Sequence, residues 1–435
     1  MTGGYGRASP IRRFRFGVIT VLLAGASIAL AHAFTQARRV AERGGDSRTL
    51  SGFDAAAFGR VLELLTGLRA DAGNRVDLLL NGDNTYPRLF ADLSAARTTI
   101  TMQMYYARPG RVSDTVATIL CARARAGVRV LLLVDAFGGV AAERSWYARM
   151  RRCGVEAATL RNLQWYTLHS AADRSHVRAV VVDGRVGYTG GFGLADYWLG
   201  DGRHDGQWRE SNVRFEGPAV AGLQAAFATA WAEATGELIA GGEFFPEAEV
   251  RGSTKAGVLF TAPTIGNTAA ERFLTFAVRS AQQRLYVTNS YFVPRPSFRR
   301  QLEEAADRGV DVRILTVSAN TDVKTPWLAG RDSYAELRAH GVRVYEYQPA
   351  MMHAKTLVVD GAWGAVGSMN FDNRSVAFND ESNLVVLDTT FGARMDSVFL
   401  DDLRYAREMT PAVLAGRPWW ERLLERGAIL LSHLL

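Results

Sequence analysis

The stretch that decides how this chain is read is HAKTLVVDGAWGAVGSMN, His353 to Asn370. Lysine is scarce in the chain. Of 51 lysines and arginines, only Lys255, Lys324 and Lys355 are lysines. Where arginine is the default cation, a lysine two residues after a histidine asks for a chemical reason. On a strand, residues i and i+2 share a face. His353 and Lys355 therefore present an imidazole and a compact cation together. That pair suits phosphoryl transfer, with a nucleophile or acid beside a charge that neutralises phosphate oxygens.

A related block lies upstream, with His176, Arg178, Asp183 and Gly190-Gly191-Phe192-Gly193. In both blocks an Asp follows the His by seven residues and a Gly by fourteen. Each block is then followed by Glu-Ser-Asn, as Glu210-Ser211-Asn212 and Glu381-Ser382-Asn383. The same features in the same order twice indicate a duplicated unit. A lone His-x-Lys on a strand is usually a solvated face, and the completeness of the second block weighs against that reading. The first block is weaker, because Arg178 and Gly193 stand where the second has Lys355 and Asn370.

The pattern HxKxxxxD followed by GSxN or GGxN resembles the phospholipase D superfamily. The second block fits in full; the first departs at Arg178 and Gly193. The flanking stretches GNRVDLLLNGD, RARAGVRVLLLVDA, YTGGFGLADYWLG, VRFEGPAV, SYFVP and GRPWWERLLERGAILLSHLL are similar to bacterial cardiolipin synthases. The likeness runs from about Gly73 to Leu435.

The resemblance implies an α/β fold of two similar α-β-α sandwich lobes, with one site at their junction. His176 and His353 are then expected to face each other across a gap sized for one phosphate. One ring attacks phosphorus and the other donates to the leaving alcohol, then accepts a proton from the second alcohol. By the same analogy His176 is the nucleophile and His353 the acid. Lys355, Arg178 and Asn370 would hold the non-bridging oxygens, with Ser368, Gly190 and Gly191 also on the substrate side. Glu210 and Glu381 would bind the far ring nitrogens and fix the tautomers. Asp183 and Asp360 belong to the catalytic motif, but at a predicted turn they are expected to orient neighbours rather than react.

Arginine at 178 can still bind phosphate, even bidentately, though it is bulkier than lysine. Arg178→Lys is therefore expected to retain or improve activity. Gly193 lacks the amide that Asn370 supplies, so Arg178→Lys with Gly193→Asn would repair a decayed first site.

Composition sets the remaining bounds. A chain of 435 residues predicts two or three domains. Net charge +7 favours anionic partners without choosing among nucleic acid, acidic lipid and phosphate. No HExxH or His-x-His spacing occurs, so no metal and no cofactor is expected. Cys121 falls in an apolar helical pattern and Cys153 precedes Gly154 near a helix end. Cys121 is read as core, and a bridge between the two is not expected unless the domain is exported.

Phe16 to Phe34 is a 19-residue run without charge, just long enough to cross a bilayer. It reads as a single membrane anchor. A signal peptide cleaved at Ala31-His32-Ala33 is the alternative. Lys and Arg within about fifteen residues number four on each side, which leaves orientation open.

Strand and helix patterns alternate after a helix over 54–71. Strands are predicted at 75–80, 98–105, 128–135, 177–183 and 186–189. In the second half they fall at 257–260, 284–289, 311–317, 342–347, 354–360 and 364–366. The chain divides into a segment 1–52 (anchor and linker), lobes 53–241 and 242–410, and an amphipathic tail 411–435. The tail carries Trp419, Trp420, Leu423 and Leu424, with Glu421, Arg422, Glu425 and Arg426 on the other side. It could lie in a membrane interface or dock on the protein's own core.

The function expected is a membrane-bound phosphatidyltransferase joining two phosphatidylglycerol molecules with release of glycerol. A phospholipase D-type hydrolase, a nuclease and an inactive binding relic are the alternatives. The apolar N-terminus and the Trp-rich tail argue against a nucleic-acid partner. Oligomeric state is not legible.

Overall fold

A computed structural model describes residues 55–138, 144–161, 174–262 and 268–429. The apolar run Phe16–Phe34 lies outside the described residues. Among them, no helix is long and apolar enough to cross a membrane.

The fold is mixed α/β around one large sheet. The first half supplies β1 (Asp71–Leu80), β2 (Thr99–Met104), β3 (Arg129–Asp135), β4 (Glu156–Leu160), β5 (Arg174–Ser175), β6 (Ala179–Val182), β7 (Val186–Gly190), β8 (Trp208–Arg209) and β9 (Ser211–Glu216). The second supplies β10 (Thr254–Thr261), β11 (Arg284–Thr288), β12 (Asp311–Val317), β13 (Arg343–Tyr347), β14 (Met351–Met352), β15 (Thr356–Val359), β16 (Trp363–Gly367), β17 (Asn379–Leu387) and β18 (Ala406–Glu408). β1 pairs with β10 antiparallel and forms a seam. Outward from it the order is β1-β9-β7-β6-β2-β3-β4 on one side and β10-β17-β16-β15-β11-β12-β13-β18 on the other. Each half thus repeats one strand order, with β18 as an addition.

The outer strands β2-β3-β4 and β11-β12-β13 are parallel, and β3 and β12 between them are covered on both faces and read as near-continuous apolar runs. Period-two alternation still sorts them. In β3, Val130, Leu132 and Val134 pack beneath the helices Asn81–Ala95 and Arg111–Arg125, while Leu131 and Leu133 meet Phe227 and Trp231 of the helix Ala219–Thr235. In β12, Val312 and Ile314 face one core and Leu315 and Val317 the other.

Most of the predicted strands form, several with shifted ends. The strand read as 75–80 begins at Asp71, because Gly67 at φ 76 ends the preceding helix early at Thr66. That helix, counted with the first lobe, buries Phe58 and Leu62 in the core of the second half. The ring of Phe58 lies 4.7 Å from Phe276 and 5.3 Å from Trp363.

One cysteine expectation is overturned. Cys121 and Cys153 form a disulfide, with Cα atoms 5.3 Å apart. The helix Arg144–Arg152 folds back on the helix Arg111–Arg125, and Trp146 Nε1 donates to the Ser113 carbonyl at 3.1 Å. That packing brings together two cysteines that are 32 residues apart in sequence.

Candidate active site

The two motif strands are hairpins, β6–β7 and β15–β16. Their turns are Asp183-Gly184 (φ 53 and 63) and Asp360-Gly361 (φ 55 and 62). Positive φ at both positions is the two-residue turn that suits strand twist, and Asp-Gly tolerates it best. The Asp183 carboxylate accepts from the backbone N–H groups of Arg97, Thr98 and Thr99. Asp360 does the same for Gln282, Gln283 and Arg284. Asp183 and Asp360 therefore orient neighbouring backbone, away from the histidines. Their oxygens are spent at the far end of the hairpin, docking it to the start of the neighbouring strand.

The other ends of the hairpins carry the histidines. β5, just before His176, pairs with the start of β17, just before Glu381. β14, just before His353, pairs with β8, just before Glu210. Each half thus lends a two-residue strand to the other. The backbone N–H of His176 donates to the Asp380 carbonyl (2.9 Å), and that of His353 to the Arg209 carbonyl (2.8 Å). The side chains cross in the same way. His176 Nδ1 lies 3.0 Å from Glu381 Oε2, and His353 Nδ1 lies 2.5 Å from Glu210 Oε2. Each imidazole is held by the carboxylate of the opposite half, so neither half holds a complete set.

His176, Arg178, Glu210, His353, Lys355 and Glu381 are all buried. Burial holds both histidines well below the usual imidazole range, and the Arg178 and Lys355 charges add to it. Burial also lowers Lys355 to about 7, against the pull of Glu210, and lifts Glu210 and Glu381 to about 7. Several protons here are loosely held, and an anion entering would tighten them.

The tautomer of His176 is fixed by a second partner. Its Nδ1 also lies 3.0 Å from the Ser368 carbonyl, which can only accept. Nδ1 therefore carries the proton, and Nε2 keeps its lone pair.

The two cations are housed differently. Lys355 Nζ donates to Ser290 Oγ (2.8 Å) and to the carbonyl of His353. Arg178 Nη1 donates to the His176 carbonyl (2.7 Å), and its guanidinium faces the Tyr105 ring at 5.5 Å. Register makes Tyr105 the counterpart of Ser290: Gln103 opposes Ala179 as Thr288 opposes Thr356. Arginine with tyrosine thus replaces lysine with serine.

The glycine pair also departs from expectation. Gly191 N and Phe192 N donate to Asn212 Oδ1 at 3.1 and 3.2 Å. A Cβ at Gly190 would lie 2.2 Å from Asn212 Oδ1, and one at Gly191 would lie 2.4 Å from Glu210 Oε2. Gly190 and Gly191 therefore make room for the Glu-Ser-Asn strand rather than for phosphate. Ser368 likewise turns inward, donating to Glu381 Oε2 at 2.6 Å. Asn370 is buried, and its Oδ1 finds no partner among the described residues.

Trp198 is the residue that motif reading misses. Ser368 steadies Glu381, but its counterpart Gly191 has no hydroxyl. Trp198 Nε1 fills that role, donating to Glu210 Oε2 at 3.3 Å. Its ring stands edge-on to His353 with centroids 5.4 Å apart, while Trp208 lies against the same imidazole at 4.7 Å. The indole also explains Gly193. A Cβ there would lie 2.6 Å from the Trp198 ring. Gly193→Asn is therefore expected to destabilise the fold by about 1–3 kcal/mol through overpacking, and to lower activity. Thermal denaturation checks this; unchanged melting with higher turnover would mean the indole yields freely. Arg209 is a second missed residue. It is buried, bonds Asp402 through Nε (2.9 Å) and Nη2 (2.8 Å), and fixes β8 next to Glu210.

Relatives share this chain's features. The family described as "Cardiolipin synthase, PLD-like domain" matches residues 89–231 and 274–403. Cardiolipin synthase A of Edwardsiella ictaluri is 34% identical over 390 residues, covering 88% of this chain and 80% of the relative. Cardiolipin synthase A of Pseudomonas putida is 32% identical over 367 residues, covering 84% and 76%. Among solved structures, the phosphatidylserine synthase of Haemophilus influenzae has the same fold at TM-score 0.63 and 13% identity, covering 87% of this chain and all of that one. A polyphosphate kinase of Porphyromonas gingivalis follows at TM-score 0.54 and 13% identity, covering 78% of this chain and 49% of that one. This chain belongs to the cardiolipin synthase family with phospholipase D-like domains.

Proposed function

We propose that the chain is a phosphatidyltransferase that joins two phosphatidylglycerol molecules and releases glycerol. The observation that carries the reading is the exchange of carboxylates between the two histidines, which makes one site from both halves. The repeated strand order supports two similar α-β-α lobes, 53–241 and 242–410, meeting at that site.

His176 is the nucleophile. Its Nε2 lone pair attacks phosphorus, and the bond to the glycerol oxygen breaks. His353, protonated once the phosphate anion is bound beside it, gives its proton to that oxygen, and glycerol leaves. The hydroxyl of the second phosphatidylglycerol then loses its proton to His353 and attacks phosphorus, which releases His176. Lys355 and Arg178 offset the charge on the non-bridging oxygens. Glu210 and Glu381 keep each ring oriented through both steps. Water in place of the second lipid would give a hydrolase. Mass spectrometry of lipids after incubating purified protein with phosphatidylglycerol tests the reading. Cardiolipin with free glycerol is expected; phosphatidic acid alone would establish hydrolysis instead.

The site's protonation gives a further expectation. A bound dianion raises the pKa of every group around it, so binding takes up protons at groups poised near 7, such as Lys355. Sulfate keeps its charge over this range. Its affinity is expected to rise as pH falls from about 8 to about 6, by about tenfold per pH unit for each proton taken up. Calorimetry in buffers of different ionisation heat checks it; heats independent of buffer would exclude the linkage.

The substrate class and the apolar run Phe16–Phe34 support a membrane location with a single N-terminal pass. The Cys121–Cys153 disulfide supports a domain on the oxidising side of that membrane. Protease added outside intact spheroplasts should then digest the domain, and full protection would reverse the assignment.

A further inference from the structure

The C-terminal helix Trp419–Ile429 is seated inside out. An amphipathic helix on a water-soluble surface buries its apolar stripe and exposes its charges. This one does the reverse. Glu425 is buried and Glu421 half-buried, facing the protein. Arg331 lies 3.3 Å from Glu421 and 3.5 Å from Glu425, and Arg417 pairs with Glu425 at 2.6 Å. The outward face carries Trp419, Trp420, Leu423 and Leu424, exposed by 72, 50, 62 and 52%. Arg422 and Arg426, also exposed, border that face.

Composition, position and seating together identify what covers this face. The carboxylates are already bound to the protein and the arginines are outside, so the surface is apolar with a cationic edge. That composition matches the boundary of an anionic bilayer, where tryptophan sits at headgroup depth and arginine meets phosphate. The helix's position agrees. Ala428 packs with Val293 and Ala329. Val293 follows by three residues Ser290, which holds Lys355. The helix packs on Lys324–Asp332, and the loop before that helix places Asp322 on the Tyr291 hydroxyl at 2.5 Å. The helix is thus tied, through its buried side, to the segment that holds Lys355. The seat of the helix agrees as well. Ion pairs that hold the acidic side down keep the tryptophans from folding back onto the core.

We propose that this helix docks the rim of the active site onto an anionic lipid bilayer, so that lipid substrate enters from the membrane beneath it. The inference rests on the lipid-substrate reading above, but its test does not need turnover. Cys121 and Cys153 are occupied by their disulfide, so Leu423→Cys offers a single site for an environment-sensitive fluorophore. Leu238→Cys, 73% exposed and on the first half, is the control. The full chain is reconstituted in phosphatidylglycerol vesicles that contain nitroxide-labelled lipid. Quenching and a blue shift are expected at 423 and neither at 238. The same result is expected in a His353→Ala background, which separates docking from catalysis. Aqueous emission at 423 would overturn the proposal. So would a blue shift without lipid that grows with protein concentration, since the face would then meet a second copy.

A functional split gives the second arm. Replacing Trp419, Trp420, Leu423 and Leu424 together by alanine is expected to cut turnover of vesicle substrate by more than about tenfold. Turnover of monomeric short-chain phosphatidylglycerol should hold. Equal loss on both substrates would mean that the helix only supports the fold.

Discussion

Replacing His353 by alanine is expected to lower phosphatidylglycerol turnover by about 10⁴-fold or more, the scale for losing a central acid–base group. The expectation follows from geometry as well as from the motif. His353 lies between Trp208 and Trp198 and holds Glu210 at 2.5 Å. Among the described residues, no other imidazole of the second half lies in the cluster. His353→Asn keeps a donor for Glu210 and is expected to fold normally while remaining inactive, which separates chemistry from stability. The leaving group distinguishes the two histidines. A nitrophenyl phosphodiester lipid needs no acid to expel its alcohol. His353→Ala should regain much of its first step on it, with acid-labile phosphate on His176. His176→Ala should regain none. Phosphate trapped on His353 in the His176→Ala protein would reverse the roles.

Much of this site is legible in the sequence, because its logic is local there. His353 and Lys355 share a strand face by spacing alone, and the repeat of His, Asp, Gly and Glu-Ser-Asn announces the duplication. What stays hidden is long-range. No spacing reveals that β5 crosses to β17 and β14 to β8, so that Glu381 serves His176 and Glu210 serves His353. Asn379-Asp380-Glu381-Ser382-Asn383 has no apolar pattern, yet it is a fully buried strand whose Glu381 takes His176 and the Ser368 hydroxyl. Trp198 has no motif, and its role appears only when Gly193 is seen to leave space for it. The helix Ala219–Thr235 escapes the pattern because alanine, leucine and phenylalanine surround much of it. The tail's amphipathicity is plain in sequence, but which side faces the protein is set by Arg331 and Arg417.

Arg178→Ala is expected to lower turnover by about 10²–10³, the usual loss when a charged donor to a developing oxyanion is removed. In a chain with Arg at nearly every cationic position, arginine at 178 could be drift. The surroundings say otherwise. Tyr105 stands in register where Ser290 stands for Lys355, and the guanidinium lies over its ring. Arg178 and Tyr105 are housed together as Lys355 and Ser290 are, so a loss rather than a gain is expected from Arg178→Lys. A lysine at 178 would lose the tyrosine face and find no serine hydroxyl, leaving a buried ammonium with one fewer donor bond satisfied. Arg178→Lys should therefore lose about tenfold, near the 1–3 kcal/mol cost of an unsatisfied buried polar group. Arg178→Lys with Tyr105→Ser should recover most of that loss, because it rebuilds the arrangement around Lys355. Tyr105→Ser alone should be impaired, since it removes the arginine's ring and returns only a short hydroxyl. A double-mutant cycle on kcat/KM measures the coupling. Additive losses would show that the two positions are independent. Equal turnover in wild type and Arg178→Ala would show that the first half contributes no clamp on phosphate, leaving Lys355 to carry that charge alone.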